Sequence, residues 1–493
     1  MTAQVILAVD QGSTSTRAVA FDLDLRTVAS SSRQLTARHP QPGWVEQDPD
    51  EILRSVVDTV AEVLGSVPDR EVVAVGIDNQ GETVVAWDAE TGLALAPAIS
   101  WQCNRSQPIV DRLLAAGHGP EVRDRTGLPL DPYFSAGKMT WLLENVDEVR
   151  SARRRGTLRL GTVDAWLTWH LVGEALTDPS TASRTQLLDI DALSWSPRLA
   201  DLFDVPLEAL PRIVDTAGHA ATLHHPEWAV ELPLAALACD QQAALAGHAA
   251  FAPGAMKATY GTGVFVLTTS GDSRPSGDAR LLTTIAWRLP GRDPTYALDG
   301  GVYSAGTLLD WLIRLGVLES AASSDRLARL ASDAGRVRIL PALGGLGAPW
   351  WRPEARAVMS NLRSGTTAAD VVRAALDGIA QRTADVVEAM LEAGVGATAL
   401  RVDGGLAANA YLVERQANLI GIPVEVASVA ESTALGVAGL AGIGAGCIAP
   451  ETIAAANPPV RRIEPRTGHR ERERERAAWK QFVEWAAQPI GPS

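Results

Sequence analysis

The chain reads as an α/β protein whose two related halves face one cleft, and three features carry that expectation. Val5-Ile6-Leu7-Ala8-Val9 is an apolar run of strand length, Asp10 to Thr16 is a polar turn, and Ala18-Val19-Ala20-Phe21 is apolar again. The same strand–turn–strand pattern returns over Lys257–Leu267, with Gly261-Thr262-Gly263 as the turn. Between them, Val72–Ile77 reads as a buried strand running into the polar loop Asp78-Asn79-Gln80-Gly81-Glu82-Thr83. Ligands of α/β sheets gather beyond the carboxyl ends of strands, so that loop is a candidate site. The length of 493 residues leaves room for both halves to bury a core of their own.

The remaining elements follow in order. Asp48 stands as the N-cap of a helix with Pro49 at its first position and Glu51 completing a capping box. Ile52, Val56, Val60 and Val63 then recur at helical spacing. The middle of the chain holds further helices, among them Asp164–Trp169. Leu234–Ala238 reads as a strand leading into a loop, Cys239-Asp240-Gln241-Gln242. A third glycine turn, Val402-Asp403-Gly404-Gly405, opens a helix around Asn409. Ser432 to Pro450 carries no charge and approaches membrane-spanning length, but its Ala and Gly content predicts a helix packed closely inside a soluble core. Arg470 to Arg476 alternates Arg and Glu and predicts a solvated helix face.

Composition removes several function classes. A net charge of −14 argues against nucleic acid or an anionic membrane surface as partner, and no membrane insertion is expected. Of the 44 cationic residues only Lys138, Lys257 and Lys480 are lysines, and none sits in a G-x-x-x-x-G-K-[ST] loop. Any nucleotide must therefore be cradled in another way. Cys103, Cys239 and Cys447 are scattered, with neither disulfide nor metal spacing. Met1-Thr2-Ala3-Gln4 lacks the basic start of a signal peptide, so a cytoplasmic protein is expected. No Ser-His-Asp or metal-ligand constellation suggests a hydrolase.

The turns carry the chemistry. Gln11-Gly12-Ser13-Thr14-Ser15 and Gly261-Thr262-Gly263 combine backbone N–H groups with hydroxyls that can donate to phosphate oxygens. Asp10 is placed like a carboxylate that holds Mg²⁺ through water, or it simply caps its turn. Arg17 can complement phosphate charge, or be an ordinary hairpin arginine. Phosphoryl transfer needs positioning, charge neutralisation and one base near the acceptor. Asp240, straight after a buried strand, is the candidate base. Trp101, Tyr133 and Phe265 would wall the carbon face of a small polyol, or belong to the core.

Longer stretches carry a resemblance. Asp10–Val19, Pro42–Pro49, Trp101-Gln102-Cys103, Asp131–Ser135, Gly161–Asp164, Ala182-Ser183-Arg184-Thr185, Gly347-Ala348-Pro349 and Arg401–Gly405 resemble the FGGY carbohydrate kinases, and within them the glycerol kinases. Tyr133–Asn145, with Lys138 and Trp141, is similar to the first signature of that family. The resemblance implies two RNase-H-like domains of the actin, Hsp70 and sugar-kinase class closing over ATP. It divides the chain into 1–245, with the polyol site and the phosphate hairpin, and 246–493, with the nucleotide site. It puts Asp10 beside Mg²⁺, and Ser13, Thr14, Ser15, Arg17 and Thr262 on the nucleotide phosphates. Gly306, Gly405 and Asn409 lie along the nucleotide, and Glu82, Trp101, Tyr133, Asp240, Gln241 and Phe265 form the polyol pocket. Related kinases are often dimers or tetramers, so a homodimer or homotetramer is compatible with it.

The implied reaction is ATP-dependent phosphorylation of a terminal hydroxyl of glycerol. Two departures qualify it. Glycerol kinases carry an arginine where this chain has Gly81, and losing its hydrogen bonds to the polyol would cost about 1.5–3 kcal/mol. The vacated space could instead admit erythritol, threitol, xylitol or a pentulose, or Arg105 or Trp287 could compensate. The basic inhibitor-binding loop of some bacterial glycerol kinases has no counterpart; His224-His225-Pro226-Glu227-Trp228 stands before Asp240 as a surface loop or a control site. A rival outside the enzymes is an actin- or chaperone-like ATP-driven binding protein, which would not need the polyol pocket.

Overall fold

The computed structural model describes residues 3–275, 280–332, 337–429 and 431–488; Met1 and Thr2 of the leader reading lie outside them. The first sheet contains β1 (Ala3–Gln11), β2 (Ser15–Phe21), β3 (Thr27–Gln34), β4 (Arg70–Asn79) and β5 (Leu232–Cys239) in the order β3-β2-β1-β4-β5, with Ala217–Leu223 at its edge. The second contains β6 (Met256–Tyr260), β7 (Val264–Gly271), β8 (Thr295–Val302), β9 (Leu400–Asp403) and β10 (Val424–Ala427) in the order β8-β7-β6-β9-β10. In each, the first three strands are antiparallel and the last two run parallel to the first. That is one RNase-H-like plan used twice.

The helices make the layers. Helices α1 (Pro49–Ser66) and α2 (Val163–Val172) cover one face of the first sheet, burying Ile52, Val56 and Val60 against Val5, Leu7 and Val9. Helix α3 (Asp240–Gly247) lies between the sheets, followed in the chain by α4 (Ala368–Glu392) and α5 (Ala410–Ile420), which cover the outer face of the second. The uncharged segment forms α6 (Ser432–Gly444), buried against α3, Ile6, Ala74 and Ala236. Glycine makes that approach feasible. A Cβ on Gly436 would lie 1.8 Å from the Ala243 carbonyl oxygen, and one on Gly247 1.9 Å from that of Ser432. The expected division after residue 245 falls inside α3.

Four local expectations change. Asp10 lies within β1, because the ladder to β2 continues through Asp10–Arg17 and Gln11–Thr16 before the turn. Asp48 caps α1 through the Asp50 N–H, but Glu51 accepts from Thr36 Oγ1 at 2.9 Å rather than completing a capping box. Asp240 is the first residue of α3, not part of a loop. The Arg/Glu run lies on α7 (His469–Ala486), where Arg476 is buried against Asp385 and Glu388 and Glu475 pairs with Arg415. Opposite charges on α4 and α5 draw those two side chains inward.

Candidate active site

Strand register builds the centre of the cleft. Strands β1, β4 and β5 are parallel neighbours ending at one edge, with Asp10 opposite Asp78 and Asp78 opposite Ala238. Asp240 follows two residues beyond Ala238, so three carboxylates converge where the first sheet ends. Removal from water is the main reason Asp10 is raised to about 6 and Asp240 to about 7. Asp78 is pushed well above the ordinary carboxylate range by burial and then by the charges of Asp10 and Asp240. The Gln241 N–H donates to Asp240 Oδ1 at 2.6 Å and orients it.

A cavity of about 200 Å³ opens beside Asp240. Glu82, Trp101, Tyr133, Gln241 and Phe265 line it, and the Gly261-Thr262-Gly263 turn forms the wall from the other half. The Trp101 and Tyr133 rings meet edge-on, with centroids 5.6 Å apart. Lys138 Nζ donates to the carbonyls of Glu82, Tyr133 and Phe134, tying two wall segments together. Lys257 Nζ donates to Gln241 Oε1 at 2.7 Å and so joins the second sheet to α3. Two of the chain's three lysines are therefore buried struts of this site.

The nucleotide-side residues sit on turns. The hydroxyls of Ser13, Thr14, Ser15 and Thr262 have no hydrogen bond among the described residues, whereas the Gly12 N–H closes its turn on the Ser15 carbonyl. Arg17 pairs with Glu431, which precedes α6. The Gly306 N–H donates to the Gly261 carbonyl, and a Cβ there would lie 2.7 Å from the same oxygen. Gly405 faces open space after the left-handed Gly404. Asn409 caps α5 through Leu412 N–H and donates to Ser324 Oγ, so its side chain already has a structural task.

The acidic cluster fits a hard divalent cation. Both Asp78 carboxylate oxygens are buried and receive no N–H or hydroxyl donor among the described residues, facing instead the carboxyls of Asp10 and Asp240. Among the described residues no group of three or more His, Cys, Asp or Glu side chains has ligating geometry. Such a site suits Mg²⁺, which keeps several waters and takes one or two carboxylates together with substrate phosphates.

Local sequence pattern marks Asp78 only as the start of a candidate loop, whereas it lies within β4, and does not single out Arg184, Lys257 or Cys239 as site residues. Arg184 bridges the halves: Nε is 2.7 Å from Glu82 Oε1 and Nη1 2.9 Å from Asp299 Oδ2 on β8. Its motif, Ala182–Thr185, is the available signal. Neither candidate substitute serves at Gly81. Arg105 stacks on Trp44 and Trp141 and pairs with Glu46, while Trp287 packs against Phe251. Nor does Gly81 leave open space, because a Cβ there would lie 2.5 Å from Cys239 Sγ. His224 and His225 lie on a turn anchored by buried Trp228, whose Nε1 donates to the Val57 carbonyl. No helix of the described residues is long and apolar enough to cross a membrane.

Known proteins share this chain's sequence family and its fold. Residues 5–247 match the N-terminal domain of the FGGY family of carbohydrate kinases, and residues 256–445 match its C-terminal domain. The chain is 44% identical over 488 residues to a glycerol kinase of Aromatoleum aromaticum, covering 98% of each. It is 42% identical to a glycerol kinase of Symbiobacterium thermophilum, covering 98% of this chain and 99% of the other. The crystal structure of Plasmodium falciparum glycerol kinase with ADP superposes with a TM-score of 0.93 at 29% identity, covering 98% of each chain. A ligand-bound xylulose kinase of Lactobacillus acidophilus, 20% identical with a TM-score of 0.88, shares the fold.

Proposed function

The chain belongs to the FGGY family of carbohydrate kinases, transferring phosphate from ATP to a polyol, and we propose the residues that carry this reaction on glycerol. The product is sn-glycerol 3-phosphate. One observation supports the reading above others: a cavity of about 200 Å³ lined together by the acids Glu82 and Asp240, the amides Gln80 and Gln241, and the aromatic rings Trp101, Tyr133 and Phe265. Glu82 and Gln241 bind hydroxyls, and Trp101, Tyr133 and Phe265 cover the carbon face. Asp240 takes the proton of the terminal hydroxyl as its oxygen attacks the γ-phosphorus. The bond from phosphorus to the β-bridging oxygen breaks, and ADP leaves with the electron pair.

On the nucleotide side, Ser13, Thr14, Ser15 and Thr262 donate to phosphate oxygens, and Arg17 exchanges Glu431 for phosphate charge. Gly306, Gly405 and Asn409 border the nucleotide. Mg²⁺ held near Asp10 and Asp78 would neutralise phosphate charge as it shifts to the leaving group. Residues 1–245 supply most of the polyol side and the phosphate hairpin, and 246–493 supply the rest of the nucleotide side together with Phe265. The unpaired Cys103, Cys239 and Cys447 support a reducing cytoplasm. Assembly into two or four copies is checked by light scattering.

Cys239 occupies the space beside Gly81, which favours glycerol over a longer polyol. A coupled ADP assay across glycerol, erythritol, threitol, xylitol and pentuloses tests this. Glycerol is expected to show the highest kcat/KM, and a more than tenfold preference for a longer substrate would overturn it. ATP turnover indifferent to every polyol would overturn the whole reading.

A further inference from the structure

Cys239 and Gly81 stand side by side on parallel neighbours, β5 and the continuation of β4, with Cys239 in register with Asn79. A Cβ at position 81 would lie 2.5 Å from Cys239 Sγ but 3.5 Å from Cys239 Cβ and 3.4 Å from Arg184 Cγ. The thiol alone therefore takes the place of a side chain at 81. The same sulfur lies 3.5 Å from Asp240 Oδ1 and donates toward it. It is fully buried, and Glu82 follows Gly81 directly.

One atom thus touches the backbone that carries Glu82 and the carboxylate of Asp240, which both line the cavity. We propose that Cys239 is a positioning residue whose thiol, locked against Gly81, sets the spacing between Glu82 and Asp240 for a three-carbon polyol. It touches no substrate itself. This rests on the polyol reading of the cavity. Its physical core is volume: a methyl at 81 and a thiol at 239 compete for one space, and either alone fills it. Overfilling a packed core forces its neighbours to shift, here toward Asp240. Emptying it releases Glu82 and Asp240 from their common wedge.

The test is a swap: G81A, C239A and the double variant G81A/C239A, each compared with wild type for kcat, KM and melting temperature. G81A is expected to lower glycerol kcat/KM by roughly tenfold or more, because its methyl meets the sulfur. C239A is expected to raise KM for glycerol more than it lowers kcat, and to narrow the gap in kcat/KM between glycerol and erythritol. The double variant is expected to recover most of both losses, since the methyl added at position 81 takes the place of the sulfur. Such recovery is a coupling that independent sites do not show. C239S, which keeps a donor of nearly the same shape, is expected to stay nearest wild type.

Additive losses in G81A/C239A would overturn the proposal, as would a G81A enzyme with wild-type constants. Should G81A express too poorly for kinetics, the melting temperatures of C239A and the double variant carry the same comparison: equal values overturn the lock. A wild-type enzyme that phosphorylates no polyol would sink the reading of the cavity, while recovery of melting temperature in the swap would still report the packing.

Discussion

The two halves share a strand order, yet the ends of their equivalent strands have opposite electrostatics. In the first, Asp10 on the first strand faces Asp78 on the fourth, and both are raised, Asp10 to about 6. In the second, the matching pair is Thr259 and Asp403. Asp403 is held at about 2 against burial, by His248 and then Lys257. Its carboxylate oxygen lies 3.1 Å from His248 Nε2. One edge is self-neutralised and holds the fold together. The other leaves acids short of cations, at a cost in stability that a bound cation would relieve.

That contrast can be broken or sharpened by experiment. Asp240→Asn carries the largest expected effect, a loss of roughly 10²–10⁴-fold in kcat with the fold intact. Wild-type kcat/KM should rise with pH and level off above about 7, because the base works only when ionised. A loss within tenfold, or a profile flat between pH 5 and 8, removes Asp240 from that role. Asp78→Asn comes next, with apparent Mg²⁺ affinity lower by about 10–100-fold. Its melting temperature at pH 8 should rise by about 2–4 °C. A carboxylate raised by folding stabilises the fold only while protonated and loses that contribution as pH rises through the folded value. Unchanged Mg²⁺ dependence together with a lower melting temperature would make the two edges alike.

Asp403→Asn should change turnover least and act through stability. Asp403 stands at about 2 in the fold against an ordinary value of about 3.9, worth on the order of 2 kcal/mol while both partners are charged; burial lowers His248, so towards neutral pH the Lys257 share is what remains. That contribution is present above pH 4 and lost as pH falls toward 2. Thermal melts of wild type and variant should therefore differ at pH 7 and converge on acidification. Equal melting temperatures at pH 7 would show that Asp403 contributes nothing through His248 and Lys257.

Much of this is legible residue by residue. Both strand–turn–strand units, the helix faced by Ile52, Val56 and Val60, and the uncharged helix before Pro450 follow from local pattern. Trp101, Tyr133, Phe265 and Asp240 stand out in the sequence and do line one cavity. Arg184 is visible there only as a motif letter, because its partners are Glu82, 102 residues away, and Asp299 in the other half. Arg476 reads as solvated since nothing in Arg470–Arg476 indicates the acids on α4.

By itself the sequence determined the kind of machine: no Walker loop, two hydroxyl- and glycine-bearing turns, and an acid after a buried strand. Local periodicity and turn chemistry suffice for that, since each depends on neighbours in the chain. The tertiary structure decided which charges meet. Parallel register brought Asp10, Asp78 and Asp240 to one edge, and sheet packing set Lys257 on Gln241. It also decided that Gly81 is filled rather than empty, because the sulfur beside it comes from β5, a strand far along the chain that only parallel pairing lays against β4.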